Sequence, residues 1–202
     1  MRIGILGGTF NPPHIGHLIC AQEAYVQLGL NRVILVPARI PPHKHVEEEP
    51  GAEHRLELCR LAARDEGRFE VSGLEIARPG PSYTVDTLEE LHSRAPDNEL
   101  FLIVGGDIAA GLPEWREPER VLSLATLAVA TRRGTSQADV EQALQSLRGG
   151  ERARFFEMPT IGISSTMVRR RVVSGIPVRY LLPDAVASYI DNHRLYRSVA
   201  PR

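Results

Sequence analysis

Short β-branched runs alternate with helix-period segments along the chain, and this alternation restricts the fold more than any other feature of the sequence. Arg2 to Leu6 reads as a buried strand running into Gly7-Gly8. A helical pattern follows from Ile15 to Leu28 and stops at Gly29. Arg32 to Val36 is a second strand, and Pro37 to Gly51 is a loop with an acidic run at its end. Ala52 to Arg64 has helical periodicity, whereas Phe69 to Val71 and Leu74 to Ile76 read as short strands. Thr84 has the look of an N-cap for a helix reaching Ser93. Leu100 to Val104 is a further strand, ending at Gly105-Gly106-Asp107. Short helices flank Trp115, and Pro118 suits a helix start. Strands at Leu127 to Thr131 and Ala153 to Phe156 bracket a helix from Gln137 to Leu147. Two helices opening near Ser165 and Asp184 complete the chain. Such an order predicts an α/β fold, a mainly parallel sheet with helices on both faces and a C-terminal helical segment.

In sheets of this kind ligands bind at the carboxyl ends of the strands. Those ends carry Gly7-Gly8-Thr9, Pro37, Gly105-Gly106-Asp107 and Arg132-Arg133-Gly134, which points to one crevice. Composition narrows what it can bind. With 24 basic and 25 acidic residues the net charge is −1, which excludes a protein that coats nucleic acid. The apolar runs are too short to span a bilayer, and the segment Met1 to Leu6 lacks a signal peptide's apolar stretch. The expected location is the cytoplasm, with no membrane and no nucleic-acid partner. Cys20 and Cys59 are expected to be buried free thiols rather than a disulfide framework.

The densest chemical signal is Gly7-Gly8-Thr9-Phe10-Asn11-Pro12-Pro13-His14-Ile15-Gly16-His17. Two glycines after a strand allow a tight turn and close approach of backbone to ligand. The helix starting there offers unpaired N–H groups and a positive dipole end. His14 and His17 are three apart and reach one spot from the first turn, and Gly16 leaves a bare surface between them. A zinc site would want a third ligand nearby, and His43 and His45 alternate in a proline-rich loop, so no metal ligands are assigned. A second signal is Ile163-Ser164-Ser165-Thr166-Met167-Val168-Arg169, hydroxyl residues opening a helix with a guanidinium one turn in. By itself this segment reads equally well as an ordinary cap with a surface arginine.

The eleven-residue string resembles the signature of the nucleotidyltransferases with an HxGH motif, and within them the bacterial nicotinate-nucleotide adenylyltransferase family. Ile163 to Arg169 is similar to the second signature of that superfamily, Pro41-Pro42-His43-Lys44 to its PPHK/R loop, and Ser82-Tyr83-Thr84-Val85-Asp86-Thr87-Leu88 to its SYT segment. The segment from Tyr180 to Tyr196 also resembles the family's C-terminal stretch, so the resemblance covers nearly the whole chain. It departs at Ala38-Arg39, at Gly105-Gly106-Asp107, where relatives read GAD, and at Arg132-Arg133-Gly134, where they read RPG.

The resemblance implies a Rossmann-like three-layer fold and a single nucleotidyltransferase domain over residues 1–202, with the phosphate site and C-terminal helices of 163–196 part of it. It implies transfer of the adenylyl group of ATP to nicotinate mononucleotide, giving deamido-NAD and pyrophosphate by in-line displacement. His14, His17, Arg169 and Lys44, the only lysine, would carry the catalysis. ATP would be held by Gly8, Thr9, Phe10, His14, Gly16, His17, Gly105, Asp107, Ile163, Ser164, Ser165, Thr166 and Arg169. The acceptor would meet Ser82, Tyr83, Thr84, Trp115 and Arg132. Mg²⁺ would ride mainly on the ATP phosphates. The alternatives are nicotinamide mononucleotide or phosphopantetheine as acceptor, or a non-catalytic nucleotide sensor. Association into a homo-oligomer stays open.

Overall fold

The computed structural model describes residues 1–42, 50–131 and 137–197. Six strands form one sheet in the order β3-β2-β1-β4-β5-β6, and each neighbouring pair is parallel. The elements run β1 (Arg2–Gly8), α1 (Ile15–Gln27), β2 (Arg32–Pro37), α2 (Ala52–Ala63), β3 (Phe69–Val71), α3 (Leu74–Ala77) and α4 (Thr84–Arg94). The second half follows with β4 (Glu99–Gly105), α5 (Gly106–Ala110), α6 (Pro118–Leu124), β5 (Ala125–Thr131), α7 (Gln137–Leu144) and β6 (Arg154–Glu157). Two further helices, α8 (Ser165–Val173) and α9 (Asp184–Asn192), come last. This is the doubly wound, Rossmann-like order, in which the chain reverses its direction of travel between β1 and β4. The crevice at their carboxyl ends is where such a fold places a ligand.

Alternation along each strand divides the core. Ile3 and Ile5, Leu100 and Leu102, and Leu127 and Val129 point to one face, where they pack with Leu88, Val121 and Val140 of α4, α6 and α7. Leu6, Phe101 and Ile103, and Ala128 and Ala130 point to the other, against Ala21 and Ala24 of α1 and Cys59 of α2. A period of two with both faces covered is what a parallel sheet requires. Burial pushes the Cys59 thiol well above its ordinary pKa, so it is an inert part of this core. Cys20 is only half-buried, because it faces the crevice.

A third cluster seats the C-terminal helices. Leu58 and Ala62 of α2 pack against Val168 of α8 and Val186 and Ile190 of α9. Beside them His54 Nδ1 and the Tyr189 hydroxyl hydrogen-bond at 3.0 Å.

Leu74 to Ile76, expected to be a strand, is the single helical turn α3. Alternating Leu and Ile over three residues fits either structure. Gly73 and Ser72 decide it: the Leu74 N–H reaches Ser72 Oγ at 3.4 Å, and the Ala77 N–H closes the turn on the Gly73 carbonyl at 2.9 Å. Tyr83 rather than Thr84 occupies the N-cap position of α4, making Thr84 its first residue. Among the described residues no helix is long and apolar enough to cross a membrane.

Leu58 is fully buried where α2 meets the last two helices. Leu58→Ala is expected to lower the unfolding free energy by about 2–5 kcal/mol. Urea denaturation followed by circular dichroism reads this, and an unshifted midpoint would detach α8 and α9 from the core.

Candidate functional site

The turn after β1 is shaped by small and rigid residues. Phe10 has φ +49 and is buried, and a Cβ on Gly8 would lie 3.3 Å from its ring. The Phe10 ring therefore forms a floor beneath the glycines and borders neither cavity described below. His14 is the N-cap of α1 with an extended backbone. Its N–H donates to His17 Nδ1 at 3.1 Å. An imidazole nitrogen that accepts a hydrogen bond carries no proton, so the neutral His17 ring presents Nε2–H as a donor. The two imidazoles stack at 3.8 Å between centroids, and the Phe10 ring meets His17 edge-on at 5.0 Å. Burial holds His14 down to a pKa of about 4, so at neutral pH the free protein carries it uncharged.

The opening of α8 lies against this turn, more than 150 residues away in sequence. Ser165 Oγ donates to the Pro12 carbonyl at 2.9 Å, and Arg169 Nη1 donates to the Asn11 carbonyl at 2.9 Å. Ser164 caps the helix by accepting the Met167 N–H at 3.2 Å. The starts of two helices thus converge. Arg169 braces the turn through this bond.

Two cavities lie at the carboxyl ends of β1 and β4. One, of about 410 Å³, is bordered by His14, Gly16, Gly105, Asp107, Ile163 and the run Ser164 to Thr166. The other, of about 420 Å³, is bordered by Gly8, Thr9, Ser82, Tyr83, Thr84 and Trp115. They share Gly7, His17, Ile103, Val104 and Ile108 as walls. Together they make one crevice with His17 at its waist. Gly8 and Thr9, expected against ATP, border the Tyr83-side cavity rather than the His14-side one. A Cβ on Gly16 would sit 3.1 Å from the His14 ring, so glycine there keeps the imidazole in place as well as leaving a bare surface. Lys44 and Arg132 lie outside the described residues.

Two buried ionisable residues of the site carry no signal in the sequence. Arg55 of α2 is fully buried and donates from Nη1 to the carbonyls of Thr9 at 2.8 Å and Ala38 at 2.6 Å, and from Nη2 to that of Arg39 at 3.0 Å. It ties the turn after β1 to the loop after β2. Read from sequence, an arginine in a charged helical stretch looks like a solvated one. Glu75 is 7% exposed, borders the Tyr83-side cavity and accepts from Thr87 Oγ1 at 2.5 Å. Burial raises its pKa above the usual carboxylate range. Arg116 also borders this cavity and lies over the Tyr83 ring at 4.7 Å.

Comparison with known proteins agrees with this architecture. Residues 5–171 match the cytidylyltransferase-like family. A protein of Roseiflexus sp. (strain RS-1), named probable nicotinate-nucleotide adenylyltransferase, is 48% identical over 200 residues, covering 96% of this chain and 98% of that one. A protein of the same name from Thermus thermophilus is 45% identical over 197 residues, covering 98% of this chain and 100% of that one. The fold is that of the Plasmodium falciparum nicotinic acid mononucleotide adenylyltransferase complexed with NaAD, with a TM-score of 0.75 at 16% identity, over 96% of this chain and 97% of that one.

The depressed pKa of His14 has a stability consequence. The unfolded chain binds the proton near the ordinary value of 6.5 and the folded one near 4, so folding is favoured above that window and loses ground as pH falls through it. The loss amounts to about 3 kcal/mol between the two values. Titration of the His14 ring by NMR is expected to show a midpoint near 4. A midpoint at the ordinary histidine value would place the ring in water.

Proposed function

The chain belongs to the nicotinate-nucleotide adenylyltransferase family, and we propose that it transfers the adenylyl group of ATP to nicotinate mononucleotide, forming deamido-NAD and releasing pyrophosphate. The observation that carries this reading is the sharing of His17 by both cavities. A reaction that joins two nucleotides needs two compartments that meet at the reacting phosphorus. The waist at His17 is such a place.

On this reading ATP occupies the His14-side cavity. Its triphosphate lies toward the converging starts of α1 and α8, where unpaired backbone N–H groups and helix dipoles favour an anion. His14 and His17 supply donors, and the Ser164 to Thr166 turn adds hydroxyls and backbone N–H groups. Ile163 gives the adenine side an apolar wall, and Asp107 is the carboxylate available to ribose or adenine donors. Gly105 and Gly16 leave space for the nucleoside. Gly8 and Thr9 act at the border with the acceptor. Phe10 acts from below through packing, and Arg169 by holding the Asn11 carbonyl.

The mononucleotide occupies the Tyr83-side cavity. Its carboxylate is drawn to the start of α4 at Thr84, and its pyridinium ring finds a flat partner in Trp115. Lys44 and Arg132 are assigned, from the family pattern, to the leaving pyrophosphate and the acceptor. An oxygen of the acceptor's 5′-phosphate attacks the α-phosphorus of ATP. The bond to the bridging oxygen breaks in line, and pyrophosphate leaves with the electron pair. The nucleophile is already anionic at neutral pH, so no general base is required. Catalysis rests on alignment and on donors placed where charge builds up.

Among the described residues no three His, Cys, Asp or Glu side chains gather to hold a metal. Asp107 is the carboxylate at the ATP side, so Mg²⁺ would be held mainly by phosphate oxygens and water, where it supplies charge neutralisation. Because α8 completes the cavity begun by β1, we read residues 1–202 as one nucleotidyltransferase domain. We place it in the cytoplasm with its nucleotide substrates.

Steady-state assays of pyrophosphate release with ATP and three acceptors test the reading. The expected order of kcat/KM puts nicotinate mononucleotide first, ahead of nicotinamide mononucleotide and phosphopantetheine. A preference for phosphopantetheine, or no release with any acceptor, would overturn it. His17→Ala is expected to lower kcat by about a hundredfold or more with the fold retained. Near-normal turnover in that variant would remove His17 from the reacting centre.

A further inference from the structure

We propose that Glu75 is a specificity-determining residue for the acceptor: its carboxyl group, set into the wall of the Tyr83-side cavity and hydrogen-bonded by Thr87, governs the preference between an anionic carboxylate and a neutral carboxamide on the pyridine ring. The inference rests on the reaction proposed above and adds to it a residue that the sequence signatures leave out.

The geometry places Glu75 at the part of the cavity that reads the ring substituent. It borders the same space as Ser82, Tyr83, Thr84 and Trp115. Thr87 Oγ1 donates to Glu75 Oε1 at 2.5 Å, and the Ser82 side chain lies beside the carboxyl. These two hydroxyl residues flank the start of α4: Ser82 just precedes the Tyr83 cap and Thr87 stands one turn inside the helix. Ser82 is fixed in turn, since Ser82 Oγ accepts the Arg39 N–H at 2.9 Å and the Ser82 N–H reaches the Ile40 carbonyl at 2.9 Å. Glu75 therefore ties α3 to the first turn of α4, beside the loop after β2.

A carboxylate here has an electrostatic consequence. The start of α4 attracts an anion, and an ionised Glu75 in the same water-poor space repels it. Two carboxylates sharing a site do not both stay ionised without cost. Burial favours the neutral form of Glu75, and Asp86 of α4 pushes the same way. The Thr87 hydrogen bond, the Ser82 hydroxyl and the Arg78 charge act against it. Among the described residues, the charged groups around this cavity include Arg116, which also faces Asp86 at 3.9 Å and Glu117 at 3.6 Å, Arg39, whose Nη1 is bound to the Ile76 carbonyl at 2.7 Å, and the buried Arg55, bound to the carbonyls of the lining residues Thr9 and Ala38. Neutral Glu75 admits the acid. Ionised Glu75 repels the acid and accepts a hydrogen bond from the amide N–H₂.

The sign follows. As pH rises and Glu75 ionises, the acid-over-amide ratio of kcat/KM falls. Both acceptors carry the same 5′-phosphate, whose second ionisation near about pH 6 cancels in the ratio. For the wild type the ratio is expected to fall about tenfold as rising pH takes Glu75 from its neutral to its ionised form, the equivalent of one pKa unit of coupling. Glu75→Gln, permanently neutral, is expected to hold the ratio flat at its low-pH value. Thr87→Val removes a hydrogen bond that favours the charged form, so its fall should move to higher pH. A flat wild-type ratio overturns the proposal without any variant. A Glu75→Gln profile with the wild-type slope, or a Thr87→Val profile that does not move, overturns it as well. A wild type that uses neither pyridine mononucleotide would overturn the reaction proposed above and this inference together. One that uses the acid with a flat ratio would overturn only the role of Glu75.

Discussion

Two backbone carbonyls near the start of the chain are satisfied from near its end, and the geometry of the crevice depends on that. The turn at Asn11-Pro12-Pro13 is poor in N–H donors, because proline has none. Its carbonyls still need partners when buried. Ser165 and Arg169 of α8 provide them, at 2.9 Å each. The bonds set the start of α8 beside the start of α1, and neither helix would hold that relation through the sheet alone. Two distant segments that border one cavity need such a fastening.

The crevice is otherwise maintained by polar groups in unfavourable surroundings. Fully burying a guanidinium is costly unless its donors are paired. Arg55 meets that condition with three carbonyls that the turning chain cannot satisfy within secondary structure. Glu75 meets it with the Thr87 hydroxyl. His14 meets it by giving up its charge. Arg55 in this way fixes backbone at two strand exits, which is where a doubly wound sheet binds its ligand. The apolar core, by contrast, is divided evenly by strand periodicity and owes little to the site.

Much of this arrangement could be read in the residues. The β-branched runs locate all six strands of the sheet to within a few residues, and the Gly7-to-His17 string and the Ile163-to-Arg169 segment point to the two helix starts that the fold brings together. Periodicity fails at Leu74 to Ile76, because three residues are too few to separate a strand from one turn of helix. It is also blind to Arg55 and Glu75: a charge in a helical pattern looks alike whether it faces water or a ring of carbonyls. Cys20 was expected in the core and instead faces the crevice, since a helix beside a cavity leaves one apolar-looking position open.

Helix α2 makes the crevice and the C-terminal helices parts of one linkage. One face of it seats α8 and α9 through Leu58 and Ala62, and His54 holds Tyr189. The very next residue, Arg55, grips Thr9, Ala38 and Arg39. The helix is thus a rigid rod geared at one residue to the outer surface and at its neighbour to both strand exits. A shift of α9 by a fraction of an ångström has a direct mechanical route to the nucleotide turn, and no part of that route passes through the sheet.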